Sequence, residues 1–261
     1  MTRLRHAAAL LGAAALAAAC ETRGPQDITG TVPAARVKFF NFGVGAPSVN
    51  FYANDAKVTA VGSADTVEST LGTASGAAAA GGFYSGIAPG QYTLSGRISA
   101  ATDKNLPIAS LPATIDNGKS YSFYLSGVYN AATKQVDSFI LEDTFSDRVA
   151  YDSTYIRFVN AISNAGPLTL SLRVTPASGP VFEIPIGAGV AYKSATAFVP
   201  LLGFGTVDLV VRNAGSTAAA ITRTGVSFNA GRVYTVTARG DITVTSTTAA
   251  NRPQLDNTAN R

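Results

Sequence analysis

Four acidic side chains crowd the stretch SFILEDTFSDRVAYD (138–152): Glu142, Asp143, Asp147 and Asp152. Carboxylates gathered in this way are the material of a calcium site, where roughly six to eight oxygens surround the ion. Their spacing follows no calcium-loop motif, and Arg148 stands among them. The expectation is a solvated connection with no metal or other cofactor, and calcium stiffening a joint is the alternative. The remaining chemical inventory is sparse. The 261 residues contain one histidine, His6, and one cysteine, Cys20. Both fall at the N-terminus, and once a signal peptide is removed before a lipidated Cys20, Ser-His and Cys-His nucleophilic pairs have no basis, nor do zinc, copper or haem sites built on His and Cys. Carboxylate or Ser-Lys chemistry is what a hydrolase would have to use, and the expectation is no enzyme. Three glycine pairs, GVGAPS (43–48), GAGVAY (187–192) and GFGTVD (203–208), lack the third glycine and following helix of a phosphate loop, and read as turns.

The placement of Cys20 is informative. Arg3 and Arg5 precede an apolar run over 7–19, small alanines lead up to Cys20, and Glu21, Thr22 and Arg23 follow at once. That is the layout of a secretory signal, too short for a membrane span of about 20 apolar residues. LAAAC resembles the lipobox of bacterial lipoproteins, with Leu16 four residues before the cysteine and Ala17 at the place the leucine usually takes. Cleavage before a lipidated Cys20 would remove His6, Arg3 and Arg5, so the net charge would fall from +4 to +2. Acyl chains on Cys20 would tie the protein to a membrane. Scattered lysines and arginines form no electrostatic footprint for nucleic acid. Expected partners are the membrane, through the lipid, and an unidentified protein or glycan.

The elements that must position anything else are strands. Short runs of Val, Phe, Tyr, Ile and Thr are broken every 8 to 12 residues by Gly, Pro, Asn or Asp, the pattern of an all-β sandwich. The halves repeat. ARVKFFNF (35–42) parallels YIRFVNAI (155–162), matching Val37, Lys38, Phe39 and Asn41 to Ile156, Arg157, Phe158 and Asn160. APGQYTLSGRI (88–98) parallels GFGTVDLVVRN (203–213), and NGKSYSFYLSG (117–127) parallels AGRVYTVTARG (230–240). In the last pair a turn glycine precedes Tyr121 and Tyr234, which suits a tyrosine corner whose hydroxyl ties back to the preceding loop. Asn41 and Asn160, at the ends of matched strands, are expected to bond the following loop, with a repeated ligand contact as the alternative. The thirteen phenylalanines and ten tyrosines alternate within strands as core residues do, and tryptophan is absent, which speaks against a sugar-stacking platform.

The pattern ARVKFFN … APxVNFY … PGQYTL … NGKSYSFYLSG resembles the domain of unknown function 4397 family over 35–143, and again over 154–245. The resemblance implies tandem immunoglobulin-like antiparallel β-sandwich modules in bacterial secreted or lipid-anchored proteins, with no assigned activity or catalytic residues. Family members often carry histidine where Asn41 and Asn160 stand, so any role of that histidine does not transfer.

The organisation expected is a signal peptide (1–19), a lipidated N-terminus and tether (20–34), a first sandwich (35–146), a second (154–246) and a disordered tail (247–261). The expected role is that of a non-catalytic envelope lipoprotein, at the outer membrane or cell surface rather than the inner membrane, structural, adhesive or interacting with protein. A periplasmic or surface binding protein for a small molecule or glycan is the alternative.

Overall fold

Successive side chains of a strand point to opposite faces, so a strand between two packed layers must be acceptable to both. SYSFYLS in the first half meets that demand with Tyr121, Phe123 and Leu125 on one face and Ser120, Ser122, Tyr124 and Ser126 on the other, all buried. The computed structural model of the chain describes residues 35–59, 71–146 and 148–261. Cys20 and Asp147 lie outside them.

The first half forms β1 (Ala35–Asn41), β2 (Val49–Ala53), β3 (Ala56–Lys57), β4 (Ala77–Ala78), β5 (Ser85–Ile87), β6 (Gly90–Ile98), β7 (Pro107–Ile115), β8 (Ser120–Asn130) and β9 (Gln135–Glu142). One sheet has the order β4-β1-β8-β9, with β5 also on β1; the other has β3-β2-β6-β7. Pairs are antiparallel except β1 with β8, which is parallel. Between the sheets lies a core that includes Val37, Phe39, Phe51, Leu94, Ile108 and Phe123.

The second half repeats this strand for strand: β10 (Ser153–Asn160), β11 (Leu168–Val174), β12 (Phe182–Pro185), β13 (Ser194–Ala195), β14 (Val199–Leu202), β15 (Thr206–Asn213), β16 (Ile221–Ser227), β17 (Val233–Arg239) and β18 (Gln254–Ala259). Its sheets run β13-β10-β17-β18, with β14 also on β10, and β12-β11-β15-β16. The registers agree as well. Asn41 faces Ala77 across β1–β4 and Asn160 faces Ser194 across β10–β13; Tyr121 faces Glu142 and Tyr234 faces Ala259.

The last pair corrects the expected tail. Residues 247–261 are not disordered: 254–259 form β18, antiparallel to β17, and the second copy runs to the end of the chain. One core residue suffices for this strand, because Leu255 enters the core while the backbone ladder supplies the rest.

The two sandwiches stack through their inner sheets, giving four layers. Phe40, Phe42, Tyr124 and Phe139 of the first sandwich pack with Val159 and Ala161 of the second in a third apolar cluster. Tyr124 lies stacked between Phe40 (4.6 Å) and Phe139 (4.7 Å). These aromatics alternate out of their own core, so the period-two pattern serves two cores at once. Contacts exchange on swapping the halves, as a two-fold axis requires. Lys38 of β1 donates to the carbonyl of Ala259, and its repeat mate Arg157 of β10 donates through Nη1 to the carbonyl of Glu142 (3.1 Å). Lys38 lies 4.4 Å from the Tyr84 ring centroid, and Arg157 4.8 Å from that of Phe198, the residue before β14 as Tyr84 is before β5.

Candidate functional site

The sequence-selected side chains do not converge on one place. Tyr121 Oη accepts the N–H of Asp116 and Tyr234 Oη that of Asn229, each at 3.2 Å and each five residues upstream. Both hydroxyls thus hold the turn that starts the strand, the geometry of a tyrosine corner. Tyr→Phe at either position should cost about 1 kcal/mol in urea unfolding; an unchanged midpoint would assign the turns to their glycines instead.

Asn41 and Asn160 are fully buried. Asn41 Nδ2 donates to the carbonyls of Pro47 (3.0 Å) and Thr73 (2.9 Å), and Asn160 Nδ2 to those of Val190 (3.2 Å) and Gly166 (3.4 Å). Through these bonds each asparagine pins two loops.

The described carboxylates of the acidic run stand on separate partners. Glu142 is exposed and paired with Lys119 (3.0 Å), Asp152 is exposed, and Asp143 is buried on a different set of partners. Among the described residues, no group of three or more His, Cys, Asp or Glu side chains is placed to hold a metal.

Asp143 belongs instead to a closed ring of hydrogen bonds across the inter-sandwich interface. Arg157 Nη2 donates to Asp143 Oδ1, and the Tyr84 hydroxyl donates to Asp143 Oδ2 (2.5 Å). Asn260 Nδ2 donates to the Tyr84 oxygen (3.0 Å), and the Thr235 hydroxyl donates to Asn260 Oδ1 (3.0 Å). Arg157 Nε donates to Thr235 Oγ1 (3.0 Å) and closes the circuit, while Ser122 adds a bond to Asp143 Oδ2 (2.8 Å). Tyr84 and Asp143 come from the first sandwich; Arg157, Thr235 and Asn260 come from the second. The Asp143 and Arg157 side chains are 0% and 2% exposed.

The two-fold relation makes Asp143 and Asn260 mates, since each donates its N–H to the strand beside it, at Ser120 and Val233. One mate is an acid and the other an amide, so two cations share one carboxylate. Burial holds the Lys38 ammonium below its usual 10.5, at about 8; Asp143 pulls it up, while Arg157 and Arg36 push it further down. Folding thus disfavours the charged lysine, a cost fully present below pH 8 and relieved as pH rises toward 10.5. Burial raises the hydroxyls of Tyr84, Tyr124 and Tyr192, whose contribution is lost only above the ordinary tyrosine value of 10.0. Stability should therefore climb by about 2 to 3 kcal/mol from pH 8 to 10, then fall. Urea midpoints measured across that window should rise for the wild type and stay flat for Lys38→Met.

At one end of the same interface lies a cleft of ≈ 400 Å³. The loop Gly43–Val44–Gly45 with Phe42 and Gly76 forms one wall, and Arg239 of β17 forms the other. Arg239 is tied through Nε to Asp256 and through Nη2 to Gln254 (3.3 Å), and its guanidinium lies 5.4 Å from the Phe42 ring centroid. In the sequence GVGAPS reads as a turn, and nothing connects it with Arg239, which lies almost 200 residues away along the chain.

A model of the family described as "Domain of unknown function (DUF4397)" matches residues 35–171. The chain belongs to the DUF4397 family. The match covers the whole first sandwich, β10 and the start of β11. The rest of the second sandwich keeps the DUF4397 strand order while its sequence diverges, as where APGQY of the first copy becomes GFGTV. No curated protein matches the chain.

Proposed function

We propose that this DUF4397 protein is a non-catalytic, lipid-anchored component of the bacterial cell envelope with a structural, adhesive or protein-interaction role. The observation that carries this reading is the buried ring. The charged side chains that the two sandwiches bring together are spent on joining them, so the interface makes a stiff body and not a reactive centre. Cys20, behind its apolar run, supplies the anchor, and 21–34 supply a polar tether. Among the described residues no helix is long and apolar enough to cross a membrane. A macromolecular partner has a surface to cover in Tyr151 and Leu202, which are 88% and 81% exposed; Leu202 pairs with Ser153, two residues after Tyr151. The β7 edge is blunted by Pro107 and Pro112. Contacts then fall on loops, at the outer membrane or cell surface.

Protease shaving of intact cells tests the reading. The wild type should be cut and should fractionate with membranes, and Cys20→Ser should move to the soluble fraction. A Cys20→Ser protein that stays with membranes would sink the lipid anchor.

One observation favours a second reading, that of a small-molecule carrier: the cleft between the Gly43–Gly45 loop and Arg239 has a volume within the range of ligand pockets.

A further inference from the structure

The two-fold relation between the sandwiches supplies an internal comparison for this cleft. Gly76 donates its N–H to the carbonyl of Asn41 (2.6 Å), and Lys193 donates to that of Asn160 (2.9 Å). Both have left-handed backbones, at φ 81° and 66°. Gly76 and Lys193 are therefore mates, and so are the residues before them, Ser75 and Tyr192. By the same registers Arg239 is the mate of Ser126, and Gly240 of Gly127.

At the mated position the gap between the sandwiches is bridged by the chain itself. The Tyr192 hydroxyl lies 2.7 Å from Ser126 Oγ and donates to Asp137 Oδ2 (3.2 Å), and its ring meets Phe139 edge-on at 6.3 Å. Lys193 pairs with Asp137 at 3.0 Å. The Tyr192 oxygen lies close over Gly127, where an added Cβ would come within 3.2 Å of it. In the cleft, the bridging side chains are replaced by Ser75 and Gly76. The would-be Cβ of Gly76 lies 2.9 Å from Arg239 Nη1, so that nitrogen faces the space a side chain would take. Phe42 stands in the cleft wall where the mate has Ala161.

We propose that the cleft binds a small phenolic molecule, whose ring takes the place that the Tyr192 ring occupies in the other half. This rests on the carrier reading. The ring would lie against Phe42, and its oxygen would accept from Arg239 Nη1. A neutral phenol suits the site better than a carboxylate, because Asp256 already balances the Arg239 charge.

The test titrates p-cresol, the tyrosine side chain as a free molecule, into isotopically labelled protein, with 4-methylcyclohexanol as the non-aromatic match. p-Cresol should give saturable amide shifts at Gly45, Gly76 and Gly240. Ser75→Tyr, which restores the bridging residue, should weaken binding at least tenfold with the fold retained. Gly76→Lys, which copies Lys193 on a backbone of the same hand, gives the same readout should the first variant misfold. If 4-methylcyclohexanol binds equally well at these glycines, the phenolic class is overturned and the carrier reading stands. If neither compound shifts them, or if Ser75→Tyr binds p-cresol undiminished, the cleft is not the site and the carrier reading loses its support.

Discussion

Arg157→Met should lower the unfolding free energy by about 3–5 kcal/mol, the cost of leaving one member of a buried ion pair without its partner. The Asp143 carboxylate would keep the hydroxyls of Ser122 and Tyr84 but lose the guanidinium that compensates its burial. Asp143→Asn in the same chain should recover more than half of the loss. The amide carries no charge to strand, and Asn260 shows that the mated position accepts it. The Lys38 pKa should rise in the single variant, because Arg157 is one of the charges holding it down. Urea unfolding of the two variants and the wild type decides the matter. A single-variant loss below about 1 kcal/mol would mean that water reaches Asp143 and that the ring is not a sealed joint.

Ending the chain at Arg252 should be at least as damaging, with a loss above about 3 kcal/mol. Removing Leu255 from the second core corresponds to a large-to-small change worth roughly 2–5 kcal/mol. The same cut strips β18 from β17, Asn260 from the ring, and the Ala259 carbonyl from Lys38. Truncation should open the second sandwich to proteolysis and weaken its grip on the first. A truncated protein that melts like the parent would mean that β18 is a dispensable edge.

Both predictions depend on the joint between the sandwiches, and that joint accounts for the odd composition of the inner strands. Serine and threonine at Ser120, Ser122, Thr235 and Thr237 would be unremarkable on a solvated face, yet all are buried. Their small size lets two sheets approach, and their hydroxyls satisfy the charged groups between the sheets. Lys38 and Arg157, which strand alternation alone assigns to water, sit at the centre of the stack.

By itself, the sequence determined the strand-rich class, the family, the internal repeat and the tyrosines that open β8 and β17. These rest on local chemistry: period-two alternation, turn glycines and a motif that recurs at matched spacing. It also carried a clue that composition concealed. The first copy has a strand after Gly127 and the second needed its counterpart after Gly240, but QLDNTA has only Leu255 and Ala259 as apolar residues and reads as polar tail. Its strand character comes from the edge of β17, whose unpaired backbone groups demand a partner. Only the tertiary structure decided that the sandwiches stack, that Asp143 faces Arg157, and that Ser75 and Gly76 leave open what Tyr192 and Lys193 close. Each of these depends on side chains far apart in the chain meeting across an interface, and no local pattern encodes which outward face of a strand will meet water and which will meet another sheet.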